Sequence, residues 1–516
     1  MIIKAVTSGE MREIDRISID EIGIPASVLM NNAGKSVAEF IEKKFINKKI
    51  TILCGTGNNG GDGFTAAYYL YNKGILPVIY LSGKKEKLSE TSTIFMDLCE
   101  KMNIAIYEIN KDNVSSVEIP GNSIIVDAIF GTGFEGIPAG IPLEFIRLAN
   151  NSENTVVSID IPSGLNSNGE SPAGEFIKAD YTITIGLPKI SLVTYPCKAY
   201  CGEIIIVDIG FPAYLTSDEK LKVTLINDSL YRTFGIFNTQ PDIHKGDKGH
   251  TLLIGGFTNM EGAAILTASA LFHTGSGLVT IATIESSREI IAGIVPEAMT
   301  LSLPEDPDSP ELEELIKSKK FTSLIIGPGL GRTSFSEKIF RNTIKSINNN
   351  GIKRVLIDGD GLFYLSDFLN NENLPSDPDF IITPHFMEAS RILKKEINVI
   401  RNDRLAGCIE LACKTGCITV LKGPASIISN GDKSFINTTG NNGLATAGSG
   451  DVLSGIIGAL MNSKISSLEA AAAGVFIHGL CADLYNETSI SSTMSASDII
   501  NNIRTVIKTK SEPGII

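Results

Sequence analysis

Two glycine-rich strings hold most of the residues in this chain that could do chemistry. The first is LCGTGNNGGDG at residues 53–63, preceded by VLMNNAG at 28–34, and the second is GNNGLATAGSGDVLSG at 440–455. Each follows a β-type run and leads into a helical pattern, which puts free backbone N–H groups at a helix start, a geometry that binds anions and phosphates above all. NNGGDG adds side-chain amides and a carboxylate to that permissive backbone. Further along, VDAIFGTG (126–133), IDIPSG (159–164) and GLPK (186–189) sit at strand ends, where open parallel sheets place their ligands. Asn59, Asp127 and Ser163 offer hard oxygen atoms suited to an alkali or alkaline-earth cation rather than zinc. The alternative for Asp127 and Asp160 is that each caps the helix that follows. Gly55, Gly57 and Gly60 match the dinucleotide fingerprint, but PVIYLSGKK ends in Ser and Lys where that fingerprint needs an acid, so a redox cofactor site is not expected.

The elements that must position these groups read as alternating short apolar runs and longer amphipathic stretches, the pattern of a parallel sheet with crossover helices. Strands are expected at 50–54, 77–81, 123–129, 155–160, 181–186 and 203–208. After a polar, turn-rich stretch the pattern resumes with strands at 251–256, 323–329, 354–361, 380–385 and 417–423, and a helix from about 451 to 461. The chain therefore divides into a first domain at 1–217, a linker at 218–243 and a second domain at 244–516, both α/β. A length of 516 residues is too great for one ordinary core.

Composition narrows the classes. With 43% hydrophobic and 20% charged residues the chain reads as globular, and a net charge of −13 argues against a general nucleic-acid or membrane-surface binder. No signal-peptide pattern and no apolar run of spanning length is apparent. Eight cysteines without a C-x-x-C pattern suit reduced thiols in a cytoplasmic protein, with Cys54, Cys417 and Cys481 in apolar contexts. A disulfide or zinc half-site at Cys197 and Cys201 is the alternative. A serine hydrolase or zinc enzyme finds no support, because G-x-S-x-G is absent and the five histidines are scattered.

TSGEMREID (7–15), LMNNAGKS, CGTGNNGGDG, VDAIFGTG, IDIPSGLN and IGLPK together resemble the NAD(P)H-hydrate epimerase family, of Rossmann-like three-layer fold. The second half resembles the ADP- or ATP-dependent NAD(P)H-hydrate dehydratases, of ribokinase-like α/β fold. The resemblance implies repair of hydrated NADH and NADPH: the first domain interconverts the R and S epimers, and the second restores the dihydronicotinamide from the S form. It implies potassium on Asn59, Asp127 and Ser163. It implies substrate contacts along Asn58, Asn59, Gly60, Gly61 and Asp62, along Gly131, Thr132, Gly133, Phe134, Glu135, Gly136 and Ile137, and at Asp160. Asp160 and Lys189 are the expected acid/base pair. Loss of the ring hydroxyl leaves an iminium-like cation that a carboxylate stabilises while a proton donor helps water leave and return. One departure is Asn31, where the family commonly has Glu.

In the second half, HKGDKGH (244–250) and residues 255–280 resemble the dehydratase entry motif, and Ala263 is an expected substrate contact. The resemblance makes Gly329 in GPGLG and His385 in TPHFMEAS further contacts, although a histidine there also suits a structural role. LKGPAS supplies Lys422, Gly423, Pro424, Ala425 and Ser426 to nucleotide phosphates. Gly448, Ser449 and Gly450 form the implied anion hole, and Asp451 the implied base that activates the ring hydroxyl toward the terminal phosphoryl of ADP or ATP, with magnesium neutralising charge. The alternative is that Asp451 only caps its helix. ADP is the expected donor, and a homo-oligomer (tetramer or larger) built on the second domain is expected. Met387-Glu388-Ala389 and DGDGL (358–362) depart from the family pattern but keep its acids. A competing reading is a kinase of a small hydroxylated heterocycle fused to a Rossmann-like binding module, since ribokinase-like folds serve both chemistries.

Overall fold

A computed structural model of the chain describes residues 2–237, 242–318, 320–347 and 351–511. It contains two compact units, one at 3–223 and the other at 224–516 together with the first two residues. The stretch 218–243, read as a linker, holds a strand at Val223–Ile226 and a helix at Asp228–Thr233, while its residues 238–241 lie outside the described residues. VTLI is too short to register as a sequence run, yet all four of its side chains are buried.

In the first unit seven parallel strands form one sheet, in the order Ala105–Ile109, Pro77–Ser82, Ile50–Cys54, Ile124–Ala128, Thr155–Ile159, Tyr181–Ile185 and Glu203–Val207. All six expected strands are present. The seventh, AIYEI at the sheet edge, was not expected, because its solvated Tyr107 and half-buried flanks break the apolar run. Alternate residues of the central strands pack on opposite faces. Ile50, Ile52 and Cys54 join the core under the helices Ala26–Lys44, Asn58–Asn72 and Glu90–Lys101, whereas Leu53 and Ile125 meet Phe145 and Ile146 of the helix Ile141–Asn150. Both faces are therefore covered, giving three layers. Strand order reverses between Ile50–Cys54 and Ile124–Ala128, and crevices at such a switch point are where these sheets bind ligands.

The second unit is built on a larger sheet. Its parallel part runs Ile418–Leu421, Asp379–Ile382, Arg354–Ile357, Ser323–Ile326, His250–Ile254, Leu278–Thr283 and Met299–Ser302. Ile427–Ser429 and Ser434–Asn437 extend it antiparallel from Ile418–Leu421. All five expected strands are present. The helix expected from about 451 is Ser449–Leu460, and it packs with Glu261–Thr274 and Ser467–Thr488 in one core. Ser467–Thr488 corrects the expectation that no apolar run reaches spanning length: by length and composition this helix could cross a membrane. Alanines rather than large residues make it apolar, and 72% of its apolar stretch is buried inside the protein.

Cys197 and Cys201 are free, fully buried thiols, and Cys201 Sγ donates to the Cys197 carbonyl at 3.2 Å.

Candidate active sites

At the switch point of the first unit the helix Asn58–Asn72 starts directly after the glycine turn. Its first residues come so close to the strand end that a Cβ on Gly60 would lie 2.0 Å from the Gly55 carbonyl oxygen. Only glycine allows that approach, so the string is a packing requirement as well as an anion-binding one. The turn opens onto a cavity of about 700 Å³ lined by Asn58, Asn59, Asp62, Gly131, Thr132, Gly133, Phe134, Asp160 and Lys189, together with Arg12 and Asp15 from the helix Ser8–Arg16. Phe130 and Phe134 stack in its wall with ring centres 4.0 Å apart, an apolar platform suited to a planar ring. Gly60, Gly61, Glu135, Gly136 and Ile137 are outside this lining. Glu135 pairs instead with Arg12 at 3.3 Å on the surface.

Asp160 follows its strand in a left-handed conformation, φ 69°, which costs a non-glycine residue about 1–2 kcal/mol and which aspartate tolerates better than most. It caps no helix. Its Oδ2 accepts from the Thr132 backbone N–H at 3.0 Å and from Thr132 Oγ1 at 2.5 Å, while its Oδ1 is ion-paired with Lys189. Lys189 is 1% exposed and also donates to Thr184 Oγ1 and to the Ile185 carbonyl. Burial alone would raise the Asp160 carboxyl. The Lys189 charge and the hydrogen bonds from Lys189 and Thr132 outweigh it and hold the group below the ordinary carboxylate range, so it is an anion.

Asp62 behaves in the opposite way. Burial, reinforced by Asp160 and Asp15, pushes its carboxyl well above the usual range, against the pull of Lys189. A nearby helix N-terminus favours the anion, but its effect is small beside that of burial. Burial wins. Asp15 is raised to about 6, mainly by burial.

In the wall of this cavity Asn59 is 7% exposed, and its Nδ2 donates to the Phe130 and Ile159 carbonyls at 2.9 and 3.2 Å. Its Oδ1 is buried with no hydrogen-bond partner. Ser163 donates from Oγ to Asp127 Oδ1 at 2.5 Å and accepts from the Phe130 N–H at 2.8 Å. Asp127 also accepts from Ser158 Oγ and the Ser163 N–H, and it caps no helix. The Asn59 amide and the Ser163 hydroxyl both bond the Phe130 carbonyl, and Ser163 bonds Asp127, so the orphaned amide oxygen belongs to a hard-oxygen set that fits a monovalent cation.

In the second unit a cavity of about 480 Å³ is lined by Ala263, Gly329, Gly448 and Asp451, with Arg332, Asp360 and Glu388. Gly448 takes φ +82°, which turns the chain sharply into the helix Ser449–Leu460 and leaves Asp451 in its first turn. Gly448, not Asp451, occupies the cap position. Burial and the neighbouring Asp358 push the Asp451 carboxyl up to about 7, a value suited to a general base. Glu388 is raised to about 7, chiefly by burial.

Lys422, His385, Ser449, Gly450 and the loop Gly423, Pro424, Ala425 and Ser426 stand outside that lining. Lys422 pairs with the buried Asp358 at 2.9 Å, and a Cβ on Gly450 would lie 3.5 Å from its Nζ. The ammonium thus sits close to the glycine turn. Burial works against its charge, but Asp358 and Glu388 outweigh burial and raise its pKa. Ser454 Oγ donates to Asp358 at 2.7 Å. Arg404 is 3% exposed beneath the loop and donates to the Pro424 carbonyl. His385 caps the helix Phe386–Leu393, its Nδ1 accepting from the Met387 and Glu388 N–H groups at 3.1 and 3.3 Å. Ser449 Oγ meets the buried His478 ring at 3.2 Å.

Sequence reasoning did not single out Asp15, Arg404 or the Phe130–Phe134 stack. The TSGEMREID string carried the first; the other two left no local signal, because packing across elements creates them.

Residues 251–505 match the family described as NAD(P)H-hydrate dehydratase, and residues 26–191 match the YjeF-related protein N-terminus. The bifunctional NAD(P)H-hydrate repair enzyme Nnr of Moorella thermoacetica is 33% identical over 526 aligned residues, covering 98% of this chain and 97% of that one. Its counterpart in Thermofilum pendens is 32% identical, covering 94% and 92%. Among solved structures, a ribokinase-like superfamily protein from Enterococcus faecalis matches with a TM-score of 0.50 at 27% identity, covering 57% of this chain and 98% of that chain. The chain belongs to the bifunctional NAD(P)H-hydrate repair enzymes.

Proposed function

We propose that this chain repairs hydrated NADH and NADPH in two steps: the first unit epimerises the R and S hydrates, and the second dehydrates the S hydrate at the expense of ADP or ATP. The observation that carries the reading is that each unit of a chain matching family members over nearly their whole length has its own cavity. One is lined by Asp160 and Lys189, the other by Gly448 and Asp451.

In the first cavity the Asp160 anion, fixed by Thr132 and Lys189, stabilises the cation that develops on the nicotinamide ring as the hydroxyl departs. Phe130 and Phe134 orient the ring and limit water to the reacting face. Asn59, Asp127 and Ser163 would hold a potassium ion, which supplies a fixed positive charge when bound. In the second cavity Asp451 takes the proton of the ring hydroxyl as that oxygen attacks the terminal phosphoryl group. The N–H groups of Gly448, Ser449 and Gly450 meet the phosphoryl charge, with the Lys422 ammonium beside them. The ring nitrogen then expels phosphate. Asp360 and Glu388, on the wall beside Asp451, are the acids suited to holding magnesium, which neutralises phosphate charge when bound. ADP is the proposed donor. Eight unpaired thiols suit a reducing, cytoplasmic setting, and a homo-oligomer of four or more copies, built on the second unit, is proposed by family likeness.

The test is recovery of reduced-nicotinamide absorbance from a mixed-epimer hydrate of NADH, with ADP, with ATP and with neither. Full recovery with a nucleotide is expected. Recovery that stalls once the S epimer is consumed would remove the epimerase half, and no recovery would favour the heterocycle kinase.

A further inference from the structure

Inverting the hydroxylated carbon needs a proton given on one face of the ring and a proton taken on the other. The Asp160–Lys189 pair is poorly suited to both. An ammonium has three N–H donors, and those of Lys189 serve Asp160, Thr184 and Ile185. Asp160 is an anion that already accepts from Thr132 twice and from Lys189.

Two other carboxyl groups line the same cavity, and they enter it from different elements. Asp62 comes from the helix Asn58–Asn72, is 8% exposed and has no hydrogen-bond partner among the described residues. Asp15 comes from the end of the helix Ser8–Arg16, immediately before a π-helical turn at Ile17–Glu21, a distortion that often marks functional positions. A buried carboxyl with no partner costs stability, so its place in a ligand cavity calls for a reason beyond packing. The charged or titratable groups that face Asp62 are Asp160, Asp15 and Lys189, with the buried Cys54 thiol on the adjacent strand and Arg12 at the cavity wall. Only Lys189 among the inner groups is cationic, and it is committed to Asp160. Asp62 therefore keeps its proton where Asp15 readily loses one.

We propose that Asp62 and Asp15 are the two proton-transfer groups of the epimerisation, one for each face of the ring. The proposal rests on the epimerase reading above. In one direction Asp62 protonates the ring hydroxyl. The carbon–oxygen bond breaks with its electron pair on oxygen, water leaves, and the ring-nitrogen lone pair forms the carbon–nitrogen double bond. Water then adds to that carbon from the opposite face, the nitrogen regains its lone pair, and the proton from the added water passes to Asp15. The reverse epimerisation runs with the roles exchanged; one water leaves and one enters in each turnover, and proton exchange with solvent returns Asp15 and Asp62 to their starting forms between turns in the same direction.

The experiment compares wild type, Asp62→Asn and Asp15→Asn in the full chain. It follows R-to-S conversion by proton NMR, and separately measures nucleotide-dependent dehydration of purified S hydrate. Each variant should lose epimerisation by about 10²–10⁴-fold, with dehydration of the S hydrate unchanged and wild-type epimerisation incorporating ¹⁸O from labelled water. Carboxyl ¹³C NMR of the wild type at neutral pH should show a protonated aspartate resonance that Asp62→Asn removes. Epimerisation in either variant within about threefold of wild type, or no protonated aspartate in the wild type, would overturn the proposal. A wild type that does not epimerise at all would instead sink the underlying reading.

Discussion

Among the described residues each unit pairs a lysine with a buried aspartate, and the two pairs are placed differently. In the first unit Asp160 and Lys189 form part of the cavity wall, so the fixed anion itself faces the ligand. In the second unit Asp358 and Lys422 stand outside the lining, and the groups that face the ligand are Asp451 and Glu388, both raised to about 7. The first site stabilises a charge that appears and disappears with no second substrate. The second must take a proton and pass an oxygen to a phosphoryl group, the task we propose for Asp451. The same pairing thus faces the cavity in one unit and lies outside the lining in the other.

The sharpest way to break this contrast is Asp451→Asn. It should cut nucleotide-dependent dehydration by about 10²–10⁴-fold while epimerisation stays at the wild-type rate, both read by following the two epimers and the reduced product together. Comparable losses in both reactions would mean that the units do not act independently.

Next come the two lysines. Lys189→Met leaves Asp160 buried and unpaired, and should destabilise the first unit by about 3–5 kcal/mol, seen by calorimetry as a lower melting transition. Adding Asp160→Asn should restore part of the loss. Lys422→Met should cost less, since that side chain is 21% exposed against 1% for Lys189. Equal costs would remove the distinction drawn here.

Replacing potassium with tetramethylammonium, or Asn59 with Ala, should slow epimerisation by about 10–100-fold and leave dehydration of purified S hydrate untouched. An unchanged epimerisation rate would show that the orphaned Asn59 oxygen has another purpose. The last contrast expected is in pH dependence. A base must be unprotonated to act, so kcat/KM for dehydration should rise about tenfold per unit below about 7 and level off above it. A flat profile from pH 5 to 8 would leave Asp451 without that role. Glu388 titrates in the same range and is coupled to the same charges, so the measured midpoint belongs to the pair.

Much of this organisation is legible in the chain. Continuous apolar runs such as ITILC can only be strands covered on both faces, and they fix the two sheets. The glycine strings and strand-end acids point to both sites for the same reason: close backbone approach and anion binding need specific residue types. Cross-strand facts are less legible. Nothing local to AIYEI marks an edge strand, and nothing in REID shows that Asp15 reaches the cavity made by residues 58–62 and 130–134. Charge state is the least legible. Asp62 and Asp160 are both strand-end or helix-start aspartates by sequence, yet surroundings that only the fold assembles push one carboxyl's pKa up and the other's down.

The capping role of His385 has a consequence of its own. Because Nδ1 accepts two backbone N–H groups, the neutral ring carries its proton on Nε2, and burial together with the Lys422 charge keeps the ring neutral by lowering its pKa. Whatever reaches that edge of the imidazole meets a donor whose tautomer the helix has already chosen. That edge already faces the Glu388 carboxylate at 3.4 Å, so an incoming oxygen must compete with Glu388 for the Nε2 proton.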